Sequence, residues 1–348
     1  MADLRKISSV MDERRFELSM KILKEHLHSE KIVDFPANRE ERSLSDILFH
    51  LKFLSEAIYF NSKSLFNSYL LWCVELFESI GLKKRDLIVN INAMKKVFAD
   101  VFNEDEFETI SEFLESGKFF IGERSASKRT VKCREEKSVQ KYLSYSVKGD
   151  RKQAEEFIMS LYNEGMSIQE IYTGILQESL YRLGRMWQTN RITVAEEHLG
   201  AGTTEYIMSQ FYQKIFAPKK SGKKIVAACV SNELHQIGLR MVSDMFEYEG
   251  WETLFIGANT PASAIVDSLA ENRADMLALS VTMAFHLKQA EKIISEVSKR
   301  REISGVKIIV GEYPFILDKQ LYKKIGARAF AETCETAVKA ANNALDCS

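Results

Sequence analysis

The segment Ser231-Asn232-Glu233-Leu234-His235-Gln236-Ile237-Gly238 sets a carboxylate two residues before a histidine and a glycine three residues after it. A loop histidine can present one ring nitrogen outward while a carboxylate holds the other, which fixes the tautomer and raises ligand basicity. Gly238 lets the following helix lie close to a bulky ligand. A second polar segment, Ser280-Val281-Thr282, carries two small hydroxyls that leave room for a ligand and can hydrogen-bond it. A lone histidine is often an ordinary surface or core residue. Glu233, Gly238 and the position of the segment in the fold also admit a metal or cofactor site with His235 as the metal ligand. Gly257-Ala258-Asn259-Thr260-Pro261 has neither GxGxxG nor GK[ST], so no phosphate loop is predicted.

The elements that must position these residues follow from periodicity. Short apolar runs at Ile225–Val230, Thr253–Ile256, Met276–Val281, Lys307–Val310 and Ala327–Ala331 alternate with amphipathic helical segments. Strands buried on both faces and joined by helices predict a parallel, doubly wound sheet over residues 222–348. Five strands suit the flavodoxin-like order, whose ligand crevice lies between the first and third strands. Both polar segments fall there.

Residues 137–216 read as a helical bundle. Ser167-Ile168-Gln169-Glu170 and Thr193-Val194-Ala195-Glu196 fit the capping box and mark two helix starts. The first helix is predicted to run to about Gln188 and the second from Val194 to about Ile215. The short turn between them favours an antiparallel pair, which draws Trp187, Glu197 and His198 toward one another.

Residues 1–121 predict a separate all-α bundle. Leu44, Ile47, Leu48, Leu51, Leu54 and Ile58 form one helical stripe after a cap at Ser43, and Leu65, Phe66, Tyr69, Leu70, Trp72, Cys73, Leu76 and Phe77 form a second that stops at Gly81. Leu87, Ile91, Met94, Phe98 and Val101 form a third. The face around Trp72 is read as core packing in preference to a ligand pocket. Residues 122–136, basic through Lys128, Arg129, Lys132 and Arg134, are expected to be a solvated linker.

The composition bounds the rest. A chain of 348 residues suits two or three domains, and a net charge of -1 gives no general attraction for nucleic acid or anionic membrane. No apolar run reaches the roughly 18 residues of a membrane helix, and the N-terminus has no apolar signal core. The five cysteines, Cys73, Cys133, Cys229, Cys334 and Cys347, lack CxxC spacing and read as reduced thiols of a cytoplasmic protein, Cys73 and Cys229 serving as small apolar residues.

Two sets of motifs resemble a known family. Glu233-Leu234-His235-Gln236-Ile237-Gly238 resembles the D/E-x-H-x-x-G motif of methionine-synthase-type cobalamin domains, and Ser280-Val281-Thr282 resembles their S-x-L/T element. Ile256 to Pro261 is similar to their second strand-to-helix turn. Val310-Gly311-Glu312 stands where the family has a Gly-Gly pair, with Glu312 in place of the second glycine. The resemblance spans roughly 137–345. It implies that cobalamin binds base-off, with its dimethylbenzimidazole tail in the sheet domain and His235 on the cobalt. Residues 137–216 would then be the cap over the upper face. Trp187, nine residues, then Glu197-His198 resembles the W-x9-E-H cap motif of cobalamin-dependent photoreceptor regulators. That implies adenosylcobalamin, with Trp187 covering the upper face, Glu197 hydrogen-bonding the adenosyl group and His198 lining the pocket. The chain departs from that group twice. Residues 1–120 show no match to its MerR-type DNA-binding domain, and the residue after the Trp is Gln188 instead of a histidine.

The expected function is a cobalamin-binding sensory protein, not an enzyme, in which light cleavage of the cobalt–carbon bond changes cap packing and signals to the N-terminal bundle or a partner. The expected partner is a protein or a second copy, met through the helical domains; DNA binding is not evident. A corrinoid carrier for methyl transfer, or a cobalamin store or chaperone, is the alternative. The predicted architecture is multi-domain: an N-terminal all-α bundle, an α-helical cap bundle and a C-terminal flavodoxin-like α/β parallel sheet.

Overall fold

The computed structural model describes residues 2–29, 37–123, 134–216 and 219–346. Most of the expected linker lies outside them, as do Cys133 and Cys347. The chain divides into two compact units, residues 1–128 and 129–348.

The first unit is helical: α1 (Leu4–Glu13), α2 (Arg15–Ser29), α3 (Ala37–Tyr59), α4 (Lys63–Ser79), α5 (Lys84–Val101) and α6 (Glu104–Glu123). The three predicted stripes form its core. Ile47, Leu51, Leu54 and Ile58 of α3, Leu65, Phe66 and Leu70 of α4, and Leu87, Ile91, Met94 and Phe98 of α5 are all buried. Each such side chain contributes about 1.5–3 kcal/mol of transfer free energy. Two expectations need correction. Ser43 lies inside α3, because the helix starts upstream at Ala37. Trp72 is 38% exposed and so stands outside the core, one residue before buried Cys73. A polar pair is sealed between α3 and α4, where His50 Nδ1 meets Tyr69 Oη at 2.7 Å and Phe53 stacks on the Tyr69 ring.

The second unit opens with α7 (Glu136–Ser146) and α8 (Arg151–Asn163). The helix predicted from Ser167 exists, but in three parts: α9 (Ile168–Glu170), a π-helical turn over Ile171–Leu176 and α10 (Gln177–Gln188). Such a turn inserts a residue into the helical ladder, and its inward residues Ile171, Tyr172, Ile175 and Leu176 are all buried. Both predicted capping boxes are formed. The next helix also splits, into α11 (Val194–Ser209) and α12 (Tyr212–Ile215). Gly200 lets α11 close on α10, since any side chain there would collide with Leu183.

The sheet follows: β1 (Lys224–Cys229), α13 (Ile237–Tyr248), β2 (Glu252–Gly257), α14 (Ala262–Asn272), β3 (Met276–Ser280), α15 (Leu287–Lys299), β4 (Lys307–Gly311), α16 (Tyr313–Leu317), α17 (Leu321–Lys324), β5 (Ala329–Ala331) and α18 (Cys334–Asp346). All strand pairs are parallel, in the order β2-β1-β3-β4-β5. This is the predicted flavodoxin-like order, with β1 and β3 adjacent. The last strand begins at Ala329, two residues later than expected, because Ile325, Gly326 and Ala327 close the turn after α17.

Cap and sheet share one core. Tyr172, Ile207, Met208 and Phe211 of the cap are buried in the same cluster as Ile225, Met241, Met245 and Phe246 of the sheet domain. One polar joint lies within it: the Tyr172 hydroxyl donates to Asp244 Oδ2 at 3.0 Å. Arg240 pairs with the other oxygen of Asp244 at 3.2 Å.

Candidate cofactor site

Parallel register sets the site. Cys229 of β1 pairs with Ser280 of β3, and Ser280 with Gly311 of β4. The three loops that follow these residues therefore leave the sheet side by side. Such an edge, where neighbouring strands send their connections to opposite faces, is the usual ligand crevice of an open parallel sheet.

The first loop is held rigid by its neighbours. Asn232 and Asn259 both take positive φ, 63° and 49°, which asparagine tolerates better than most residues. The Asn232 N–H donates to Asn259 Oδ1 at 2.8 Å, and the Asn259 N–H donates to the Glu233 carbonyl at 2.9 Å. This packing buries Glu233 completely.

Glu233 organises the centre. Its Oε1 accepts from the His235 backbone at 3.2 Å and lies 2.5 Å from His235 Nδ1. Its Oε2 accepts from the backbone of Thr282 at 3.0 Å and of Met283 at 2.9 Å, and lies 3.2 Å from His286 Nδ1. Burial alone would raise the pKa of this carboxyl. The bonds from His235, His286 and the Met283 N–H more than reverse that and hold it well below the usual carboxylate range. The bond to Glu233 in turn raises the His235 pKa against the effect of burial, with added negative potential from Glu233, Glu312 and the cap residue Glu197.

His235 is tethered at Nδ1 yet its side chain is 60% exposed, an arrangement that leaves Nε2 as the outward ligand atom. Gln236 ties the loop to the cap, its Nε2 donating to Glu205 Oε1 of α11 at 3.2 Å. Its Oε1 accepts from the Ala258 N–H at 3.1 Å. Beside the loop, a slot of about 50 Å³ is lined by Gly238, Ser280, Gly311 and Glu312, with Tyr181 of α10 at its rim. Ser280 Oγ and Thr282 Oγ1 are buried with no hydrogen-bond partner among the described residues. Buried hydroxyls of this kind cost free energy unless something bonds them.

The cap residues stand at the end of the α10–α11 hairpin. Trp187 is 42% exposed, and the turn is closed by the Asn190 N–H on the Trp187 carbonyl at 2.9 Å. The Glu197 side chain is 26% exposed and that of His198 75%, with 3.6 Å between Oε2 and Nε2. Gln188 is buried. Periodicity and motif reading missed three site residues. Nothing in the sequence singled out His286, whose only signal is a histidine close behind β3. Gln236 lay inside the motif without a role. Glu312 was visible only as a misplaced glycine.

Among the described residues, no three His, Cys, Asp or Glu side chains converge to hold a metal ion. One outward histidine nitrogen with a carboxylate behind it fits a metal that arrives with its remaining ligands in a macrocycle. The orphaned Ser280 hydroxyl lines the adjoining slot, and with that of Thr282 it fits a polar ligand.

The comparisons agree with this chemistry. Residues 223–341 match the B12 binding domain family, and residues 139–212 match a second family also described as a B12 binding domain. The chain is 29% identical over 119 residues to the HTH-type transcriptional repressor CarA of Myxococcus xanthus, over 34% of this chain and 39% of the repressor. It is 33% identical over 129 residues to dimethylamine corrinoid protein 3 of Methanosarcina acetivorans, over 37% of this chain and 59% of that protein. The chain thus spans less than two thirds of either relative. The structure of the Methanosarcina barkeri monomethylamine corrinoid protein superimposes with a TM-score of 0.53 at 18% identity, over 60% of this chain and 98% of that one, a likeness of fold. A helical B12 binding domain and a Rossmann-like B12 binding domain are present in succession. Both domain matches define a cobalamin- or corrinoid-binding protein.

Proposed function

We propose that this chain is a cobalamin-binding sensory or regulatory protein that uses adenosylcobalamin to respond to light. The observation that supports the reading is geometric: cap and sheet share one core, and Gln236, next to His235, donates to Glu205 of α11, the helix that carries Glu197 and His198. His235 would be the lower ligand to cobalt, with Glu233 fixing its tautomer. Ser280, Thr282, Gly238 and Gly311 would hold the nucleotide tail, and Trp187, Glu197 and His198 the adenosyl group. When bound, adenosylcobalamin supplies a cobalt–carbon bond that light breaks. A signal then requires that the cap prefer one state of the cofactor. Trp187 and Glu197 provide that preference, since both would lose their contact when the adenosyl group leaves. Gln188 is no strong cobalt ligand, so His198 is the cap residue that would offer cobalt a nitrogen, with water as the other candidate. Signalling would run to residues 1–121 or to a partner protein.

A carrier of corrinoid for methyl transfer is the second reading. The 33% identity to a dimethylamine corrinoid protein favours it, and so does the exposure of Trp187, which leaves the cap side open to a partner.

Absorption spectra and gel filtration of the adenosylcobalamin complex, dark and after green light, separate the two. The sensory reading expects a new spectrum together with a changed elution volume or protease pattern, and loss of the change in Trp187→Ala. A spectral change with identical elution and proteolysis would leave the carrier reading.

A further inference from the structure

Glu312 is the residue of the site whose backbone is under strain. It follows β4 with φ +89° and ψ −178°, a region that residues with a side chain enter only when the surrounding structure forces them. The strain delivers its side chain into the slot beside His235. There its carboxylate end packs against the start of α13, so that a side chain on Gly238 would require the Glu312 carboxylate to swing aside. Glu312 and Gly238 thus line the slot together with Ser280 and Gly311. The space left there admits water over about 50 Å³, so a bulkier group has to displace the Glu312 side chain to enter.

We propose that Glu312 selects the corrinoid by its lower tail: its side chain fills the mouth of the slot that a nucleotide tail must enter, so complete cobalamin meets a penalty that tail-less cobinamide escapes. The inference rests on the cobalamin reading above. It assigns a cost to the tail alone, because a corrin ring held by His235 would sit outside the slot. Burial and the neighbouring Glu233 both disfavour ionisation of Glu312, while His235 favours it; bulk, not charge, is what closes the mouth.

The test is titration of wild type, Glu312→Gly and Glu312→Gln with hydroxocobalamin and with aquacobinamide, read by corrinoid absorbance. Glu312→Gly should tighten hydroxocobalamin by about tenfold or more while changing cobinamide by less than about threefold. It should also raise the thermal midpoint of the free chain, because glycine adopts this backbone without strain. Glu312→Gln, equal in size, should match wild type in its preference between the two corrinoids. Equal gains for both corrinoids, no gain for either, a lowered midpoint for Glu312→Gly, or a Gln variant that behaves like the Gly variant would each overturn the proposal. A wild-type chain that binds neither corrinoid would instead overturn the cobalamin reading on which it stands.

Discussion

Glu233 fastens His235 through a single oxygen, which lies 3.2 Å from the backbone nitrogen and 2.5 Å from Nδ1. The second oxygen fastens the loop after β3 through Thr282, Met283 and His286. One buried carboxylate therefore both orients the histidine and fixes the opposite wall of the site.

That double role changes what substitution should do. His235→Ala should turn the bound corrinoid spectrum base-on or water-ligated, or weaken binding. It should also lower the stability of the free chain, since buried Glu233 loses one of the bonds that hold it ionised. From sequence, Glu233→Gln looks milder. In the structure it turns an acceptor toward two backbone N–H groups into a possible donor, at a cost of about 1–3 kcal/mol of stability, and loosens the histidine by about 10–100-fold in metal affinity. Denaturant midpoints and corrinoid titrations of both variants check this. A Glu233→Gln chain as stable as wild type would show that the carboxylate is not the hub described.

Cap chemistry predicts a preference among cofactors. Adenosylcobalamin should bind more tightly than methylcobalamin, and Trp187→Ala should reduce the difference, because a methyl group offers Trp187 and Glu197 nothing to cover. Calorimetric titration with both cofactors decides it; equal affinities in wild type would remove the adenosyl pocket.

The joint between cap and sheet should be separable from the site. Tyr172→Phe removes the hydroxyl that donates to Asp244 Oδ2 at 3.0 Å. Both partners are buried, so the loss should cost about 1–3 kcal/mol. The expected readout is a lower urea midpoint and faster amide exchange along α13, with the ligand spectrum unaltered. An unchanged midpoint would mean that Arg240 alone satisfies Asp244.

The helical unit should have its own pH response. Burial pushes the His50 pKa from 6.5 down to about 4. Between those values the unfolded chain binds a proton that the folded chain refuses, so this stabilisation is complete above the unfolded pKa and declines as pH falls. From pH 7 to pH 5 the loss is about 2 kcal/mol. Asp46, whose pKa burial raises to about 6, acts in the opposite sense and becomes less favourable as pH rises. The measurement is therefore a difference: His50→Gln should lose about 2 kcal/mol less than wild type over that interval in urea unfolding. Parallel curves would show that His50 titrates in the folded chain.

Some of this structure was legible in the residues and some was not. The strands announced themselves as short apolar runs because a parallel sheet buries both faces, and the carboxyl edge then fixed where Glu233 and His235 had to stand. The capping boxes at Ser167 and Thr193 are local chemistry and formed as read. Tyr172 and Asp244 looked like ordinary helix residues, because their contact depends on how two helices far apart in sequence dock. The π-helical turn at Ile171–Leu176 leaves no mark in periodicity. Ser43 failed as a cap because helix formation upstream, from Ala37, outweighed the local preference of serine for helix starts. Glu312 was readable only as a departure from a pattern; its backbone strain and its reach to Gly238 needed coordinates.

Glu136, the first residue of α7, is clasped by Arg182 of α10 through two parallel bonds of 2.8 and 2.7 Å. Such a fork tolerates little sliding or rotation of one partner against the other. Arg182 lies five residues before Trp187 on the same helix, so any tilt of α10 would pull on Glu136 and on the chain where α7 begins. Cutting the fork with Arg182→Met would leave Trp187 on its helix but disconnect it from the start of α7.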